Sequence, residues 1–252
     1  MRPIVTLLTD FGTADGYVAE MKGVILSAAP DAAVVDVSHD VAAQDVEGAW
    51  LALARYWRRF PSGTVHLVVV DPGVGSGRAA IAVSSDERWL VGPDNGVLSP
   101  ALLLRGARAV ALPVPAHAAP TFHGRDVFAP AAAALALGTP IDALGTPHES
   151  PVVRRTPEPH RGEDGAVEGQ VISIDRFGNA ITNCLGVRGG TLEVAGARVP
   201  VQRTYADTPP GGVVALCGSS GLIEVAVRDG CAAKALGLER GARVRFHPAG
   251  TG

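Results

Sequence analysis

Apolar positions follow two rhythms along this chain, and the change from one to the other divides it. Residues 4–9 form a short apolar run with β-branched members that stops at Asp10 and a glycine turn, as a strand covered on both faces does. Between 16 and 29, Val18, Met21, Val24, Ile25 and Ala28 share one helical face, and Pro30 ends the pattern. Residues 33–37 read as the next strand. A helix over 46–60, a continuous apolar strand at 64–70 and strands at 79–84 and 89–92 continue the alternation. An Ala-rich helix follows over 127–141. This order predicts an N-terminal α/β domain with a mostly parallel sheet over residues 1–150.

Residues 151–168 bring prolines and charges of both signs with little apolar periodicity, and are expected to be a linker. From 169 to 252 the signals are short strands, at 170–174, 191–194, 197–201, 213–217, 222–227 and 242–247, separated by Gly or Asp. That spacing predicts a smaller C-terminal all-β domain, a sandwich or barrel.

Composition narrows the partners. The 252 residues carry 22 Lys and Arg against 25 Asp and Glu, a formal net charge of -3, with the basic residues scattered. A nucleic-acid partner is not expected, because duplex binders gather cations on one face. The run at 4–8 is too short for the apolar core of a signal peptide, and no uncharged stretch reaches the ~20 residues that span a bilayer. Cys184, Cys217 and Cys231 are odd in number and lack metal-ligand spacing, which fits a reducing, cytoplasmic setting without a disulfide framework.

Five polar clusters are candidates for chemistry. The first, Thr9 to Gly16, sets Asp10 and Asp15 around a glycine turn at a strand end, where ligands gather in open α/β sheets. Asp10 offers lone pairs for two vicinal hydroxyls; the plainer alternative is a turn aspartate with Asp15 as a helix N-cap. In the second, Asp71-Pro72-Gly73-Val74-Gly75-Ser76-Gly77-Arg78, an acid and an arginine bracket a tight loop that lacks the lysine and the following helix of a phosphate loop. An ordinary ion pair is the alternative. In the third, Thr121 to Asp126, His123 titrates near neutrality and is suited to orienting or deprotonating a nucleophile, whereas Asp126 is expected to cap the helix behind it. The fourth, Asp175-Arg176-Phe177-Gly178-Asn179, pairs a stacking ring with an amide, as purine recognition requires. The fifth, Gly218 to Glu224, presents Ser219 and Ser220 to an amino-acid carboxylate, or is simply a turn.

In this order, TDFGTADGYV, DPGVGSGR, PDNGVL (93–98, with Asn95), TFHGRD, IDRFGN and GSSGLIE resemble the S-adenosyl-L-methionine (SAM) hydrolases, also called SAM hydroxide adenosyltransferases, which are relatives of fluorinase and chlorinase. The resemblance spans residues 6 to about 232. It implies an N-terminal α/β domain, a barrel-like C-terminal domain, and a homotrimer whose substrate lies between one subunit's first domain and its neighbour's second. It implies hydrolysis of SAM to adenosine and L-methionine by water or hydroxide at ribose C5′, with no cofactor and no metal. By motif, Asp71, Arg78 and His123 act on the water, Asp10 binds ribose, and Asp15 lies towards the methionine. Asn95, Asp175, Phe177, Asn179, Ser219, Ser220 and Glu224 fall in substrate-contacting motifs, with Asn179 directed at adenine. The halogenases carry Tyr where this chain has Asp71, fluorinase has a Tyr-Ser pair in place of His123-Gly124, and the halogenases have Arg in place of Ser220. Fluorinase's extra loop after the strand ending at Ser84 is missing. A carboxylate next to a bare halide is disfavoured, which argues for water. The alternatives are a chloride-using transferase, a SAM or adenosine sensor that does not turn over, and a calcium-dependent nucleoside hydrolase, whose dense oxygen ligands are not matched here.

Overall fold

The molecule is represented by a computed structural model, which describes residues 2–187 and 189–249. Residues up to Arg155 form one compact unit and those from Thr156 onward another. The first is built on seven strands: β1 (Ile4–Thr9), β2 (Ala33–Ser38), β3 (Val65–Val69), β4 (Ala80–Ser85), β5 (Arg88–Pro93), β6 (Arg108–Leu112) and β7 (Thr146–Pro147), in the order β2-β1-β3-β5-β4-β6-β7. Helices α1 (Tyr17–Ala28), α2 (Val46–Tyr56), the single turn α3 (Ser99–Leu102) and α4 (Ala129–Ala136) complete it. Alternate strand residues feed two apolar clusters. Leu7 and Leu67 pack with Met21, Ile25 and Phe128, whereas Leu8 and Val68 pack with Trp50, Leu53 and Trp57. Covering both sheet faces explains why β1 and β3 read as unbroken apolar runs.

β2, β1, β3 and β5 run parallel. The far half of the sheet is antiparallel, from β5 to β4, β6 and β7. The reversal is local: Asp86 and Glu87 take φ of 49° and 58°, the two positive values of a type I′ hairpin turn. The helix expected at 127–141 is interrupted at both ends. The chain enters it through a π-helical turn, Gly124–Phe128, and leaves α4 before Gly138, whose φ is 89°.

The second unit comprises β8 (His160–Arg161), β9 (Val167–Ile174), β10 (Ala180–Leu185), β11 (Thr191–Val194), β12 (Ala197–Gln202), β13 (Val213–Cys217), β14 (Leu222–Val227), β15 (Arg243–His247) and the short helix α5 (Ala232–Leu236). The pairings run β9-β10-β14-β13-β12-β11-β15 and return to β9, closing a seven-stranded barrel with β8 appended. Closure removes the exposed sheet edges, and Val171, Leu192, Val225 and Phe246 fill the interior. Residues 151–159 carry no regular structure. Arg154 remains tied to the first unit through its backbone N to Ser99 Oγ (2.8 Å) and its Nε to Asn95 O (2.9 Å). Asn183 holds Pro157 O to the barrel at 2.7 Å.

Candidate functional site

β1 and β3 pair in parallel with Thr9 opposite Val69, so Asp10 and Asp71 leave the carboxyl edge of neighbouring strands. That edge is where an open α/β sheet receives ligands. The loop after Asp71 is pinned at both ends. Asn95 Nδ2 donates to Val70 O at 2.9 Å, and the Asp94 backbone N donates to Ala79 O at 2.9 Å. Asn95 Oδ1 accepts from Val97 N at 3.1 Å, so both ends of this side chain order backbone. Gly75, at φ 75°, passes so close to Pro120 O that a Cβ there would lie 2.6 Å away, which brings the loop against the segment leading to His123.

Within that loop Arg78 grips Asp71 with two parallel hydrogen bonds, Nε to Oδ1 at 2.9 Å and Nη2 to Oδ2. Both side chains are almost dry, 10% and 6% exposed, which makes this far stronger than a surface pair. Nη2 also lies 3.0 Å from His123 Nδ1. The guanidinium stacks 5.3 Å above the Phe128 ring, so the π-helical turn supplies a platform for the arginine just after the histidine. A guanidinium only donates, hence Nδ1 accepts and the imidazole proton lies on Nε2. Burial, then the Arg78 charge, pushes the His123 pKa down against the opposing pull of Asp71 and Asp126. The result is a neutral imidazole with one N–H to offer, beside a neutralised acid–guanidinium pair.

Asp126 is not the helix cap expected of it. It lies inside the π-helical turn, and its Oδ2 accepts from Ala119 N at 2.8 Å while Arg125 Nε donates to Oδ1 at 2.7 Å. Asp10 Oδ2 accepts from Gln44 N at 2.8 Å, leaving Oδ1 for another donor. Asp15 is exposed, and the N-cap of α1 is Gly16, without a side-chain cap bond, so the capping alternative for Asp15 is not what the structure contains.

In the barrel, Asp175 Oδ1 accepts from Phe177 N and Asn179 N, both at 2.9 Å, and Oδ2 from Asn179 Nδ2 at 2.9 Å. One acid thus shapes the whole 175–179 loop. Asn179 is buried and Phe177 is 74% exposed, an aromatic face with no protein covering most of it. Ser219 and Ser220 form the exposed turn between β13 and β14. Ala180 pairs with Val225 and Leu185 with Leu222, so the Asn179 loop and the serine turn open at opposite ends of the β10–β14 pairing. The six residues of β10 lie between them. Glu224 lies between, buried, and Tyr205 Oη donates to it. That bond first, with burial and the Asp175 charge, pushes the Tyr205 phenol up to about 12. The sequence reading missed Tyr205, although the box Thr204 to Asp207 that caps its 3₁₀ turn was a legible signal.

Among the described residues, no three His, Cys, Asp or Glu gather as a metal site would require, and no helix is long and apolar enough to cross a membrane. Residues 5–145 match the SAM hydroxide adenosyltransferase N-terminal domain and residues 169–245 its C-terminal domain. A protein of Thermus thermophilus named (R)-S-adenosyl-L-methionine hydrolase is 48% identical, with 98% of this chain and 100% of that one covered. One of Salinispora arenicola with the same name is 41% identical over 96% and 97%. A crystal structure of an uncharacterized conserved protein from Thermotoga maritima superposes with a TM-score of 0.88 at 30% identity, covering 96% and 99% of the two chains.

Proposed function

The chain belongs to the SAM hydroxide adenosyltransferase family, and from that membership we propose that it hydrolyses S-adenosyl-L-methionine to adenosine and L-methionine. The observation that carries the mechanism is the buried Asp71–Arg78–His123 chain at the carboxyl edge of β3. The sulfonium is already a good leaving group. The enzyme's task is to hold an oxygen in line with C5′, opposite sulfur, and such positioning alone is worth effective molarities of up to ~10⁵ M or more. His123 Nε2–H, with the ring held at Nδ1 by Arg78, binds the water through one lone pair and raises its acidity, and the second lone pair faces C5′. As the C5′–O bond forms, the C–S pair leaves with methionine and the water's proton passes to Asp71, whose oxygens each accept one bond from Arg78 and retain a lone pair. Asp10 takes the ribose hydroxyls and Asp15 the methionine end. Phe177 and Asn179 take adenine, on the loop that Asp175 shapes, and Ser219, Ser220 and Glu224 take the amino-acid portion. Asn95 acts by fixing the Asp71 loop. This assignment needs no metal or cofactor.

The working assembly is a homotrimer in which the first unit of one subunit faces the second of its neighbour, and its setting is the cytoplasm, where three unpaired cysteines are stable. Sedimentation at micromolar concentration is expected to give a trimer; a monomer with full turnover would remove the shared site. The decisive experiment is turnover of SAM in ¹⁸O-water. Adenosine labelled at the 5′ oxygen is expected. Formation of 5′-chloro-5′-deoxyadenosine in chloride, or binding of SAM without turnover, would favour the transferase or sensor instead.

A further inference from the structure

A buried histidine that no sequence motif singled out holds the chain on both sides of Asp10. His39, just past β2, is only 6% exposed. Its Nδ1 lies 2.8 Å from Thr9 Oγ1 and its carbonyl accepts from Gly12 N at 2.8 Å. One residue therefore grips the chain immediately before Asp10 and again two residues after it. Its Nε2 lies 3.0 Å from Asp36 Oδ1, and Lys22 Nζ binds the other oxygen of Asp36 at 2.6 Å. Asp36 lies beside Nε2 without the alignment of a hydrogen bond, and Nδ1 shares one with the Thr9 hydroxyl. The same hydroxyl receives Phe11 N at 3.3 Å. A line of contacts from Lys22 through Asp36, His39 and Thr9 thus ends on the backbone on both sides of Asp10, while Gln44 N holds the Asp10 carboxylate itself.

We propose that His39 is a positioning residue for substrate binding, holding Thr9 and the following turn so that the Asp10 carboxylate meets both vicinal hydroxyls of the substrate ribose. This rests on the reading of Asp10 as the ribose-binding acid. Two hydroxyls on one carboxylate demand a fixed carboxylate plane, and the ring of His39 is what stops the 9–12 turn from rotating about the strand end.

The test compares adenosine with 2′,3′-dideoxyadenosine as competitive inhibitors of the full-length enzyme. The wild type is expected to bind adenosine at least tenfold tighter, about the worth of hydrogen bonds to a charged group. In His39→Leu that preference is expected to shrink to about threefold or less, with KM for SAM up about tenfold, kcat within about threefold and dideoxyadenosine binding unchanged. His39→Asn, whose amide reaches the place of Nδ1, is expected to restore the preference. Thr9→Val, which leaves the histidine in place, is expected to lose it. A general loosening would weaken both inhibitors alike and overturn the proposal, as would retained preference in His39→Leu and Thr9→Val. A wild type that does not distinguish the two nucleosides would sink the reading of Asp10 and this proposal with it.

Discussion

The candidate clusters of the two units differ in how they are held. In the first, Asp71, Arg78 and His123 come from separate segments and bind one another out of solvent. In the second, Asp175 binds its own loop, while Phe177, Ser219 and Ser220 are exposed. A dry, mutually bonded cluster suits chemistry, since its groups need no reorganisation when charge develops. An exposed ring and an open hairpin suit recognition, because only a ligand completes them.

Three substitutions test that contrast. Arg78→Lys keeps the charge but loses the fork that joins Asp71 to His123. Chromatography of adenosine is expected to show kcat reduced by roughly 10³-fold or more, with a lower melting temperature because Asp71 is left buried and poorly paired. Asp71→Asn is expected to reduce kcat by about 10²-fold while adenosine affinity, measured by calorimetry, stays within about threefold. Unchanged turnover would remove Asp71 from the chemistry. Phe177→Ala is expected to act on the other side of the contrast, raising KM for SAM by about tenfold with kcat kept. An equal fall in kcat would place the ring in the reaction rather than in recognition.

The smallest effect is on stability. His66, fully buried in the first unit beside Thr6, has its pKa pushed down to about 3 by burial, with the Arg88 charge adding to it. Above its ordinary value of 6.5 the ring is neutral in both states and contributes no dependence on pH. As pH falls from 6.5 towards 3 the unfolded chain takes up a proton that the folded one refuses, so stability is lost progressively over that window. Melting temperatures from pH 7 to 4 are expected to fall, and less steeply in His66→Gln. Equal slopes would remove His66 as a source of acid sensitivity.

Much of the fold is legible along the chain, because β1, β3, α1 and α2 bury periodic apolar faces that their own residues announce. Other parts are not. In β10, Ala-Ile-Thr-Asn-Cys-Leu, the apolar run is broken by Thr182 and Asn183, yet both are buried because Ile223 O and Pro157 O accept their hydrogen bonds. β6 is short, with Arg108 at one end and Pro113 just beyond the other, and its pairing with β4 and β7 makes it a strand. The candidate residues are visible as types and motifs, but their partners are not: Arg78 and His123 are 45 residues apart, and Thr9 and His39 are 30.

Legible along the chain are the change from an α/β part to a β part and the chemical types of the candidate side chains, since apolar period and residue type are local properties. Which polar groups meet, which nitrogen of His123 carries the proton, and where the sheet turns antiparallel emerge in the folded arrangement alone. Those depend on close approach across long loops, at positions such as Gly75, and on burial, which no single stretch of chain possesses.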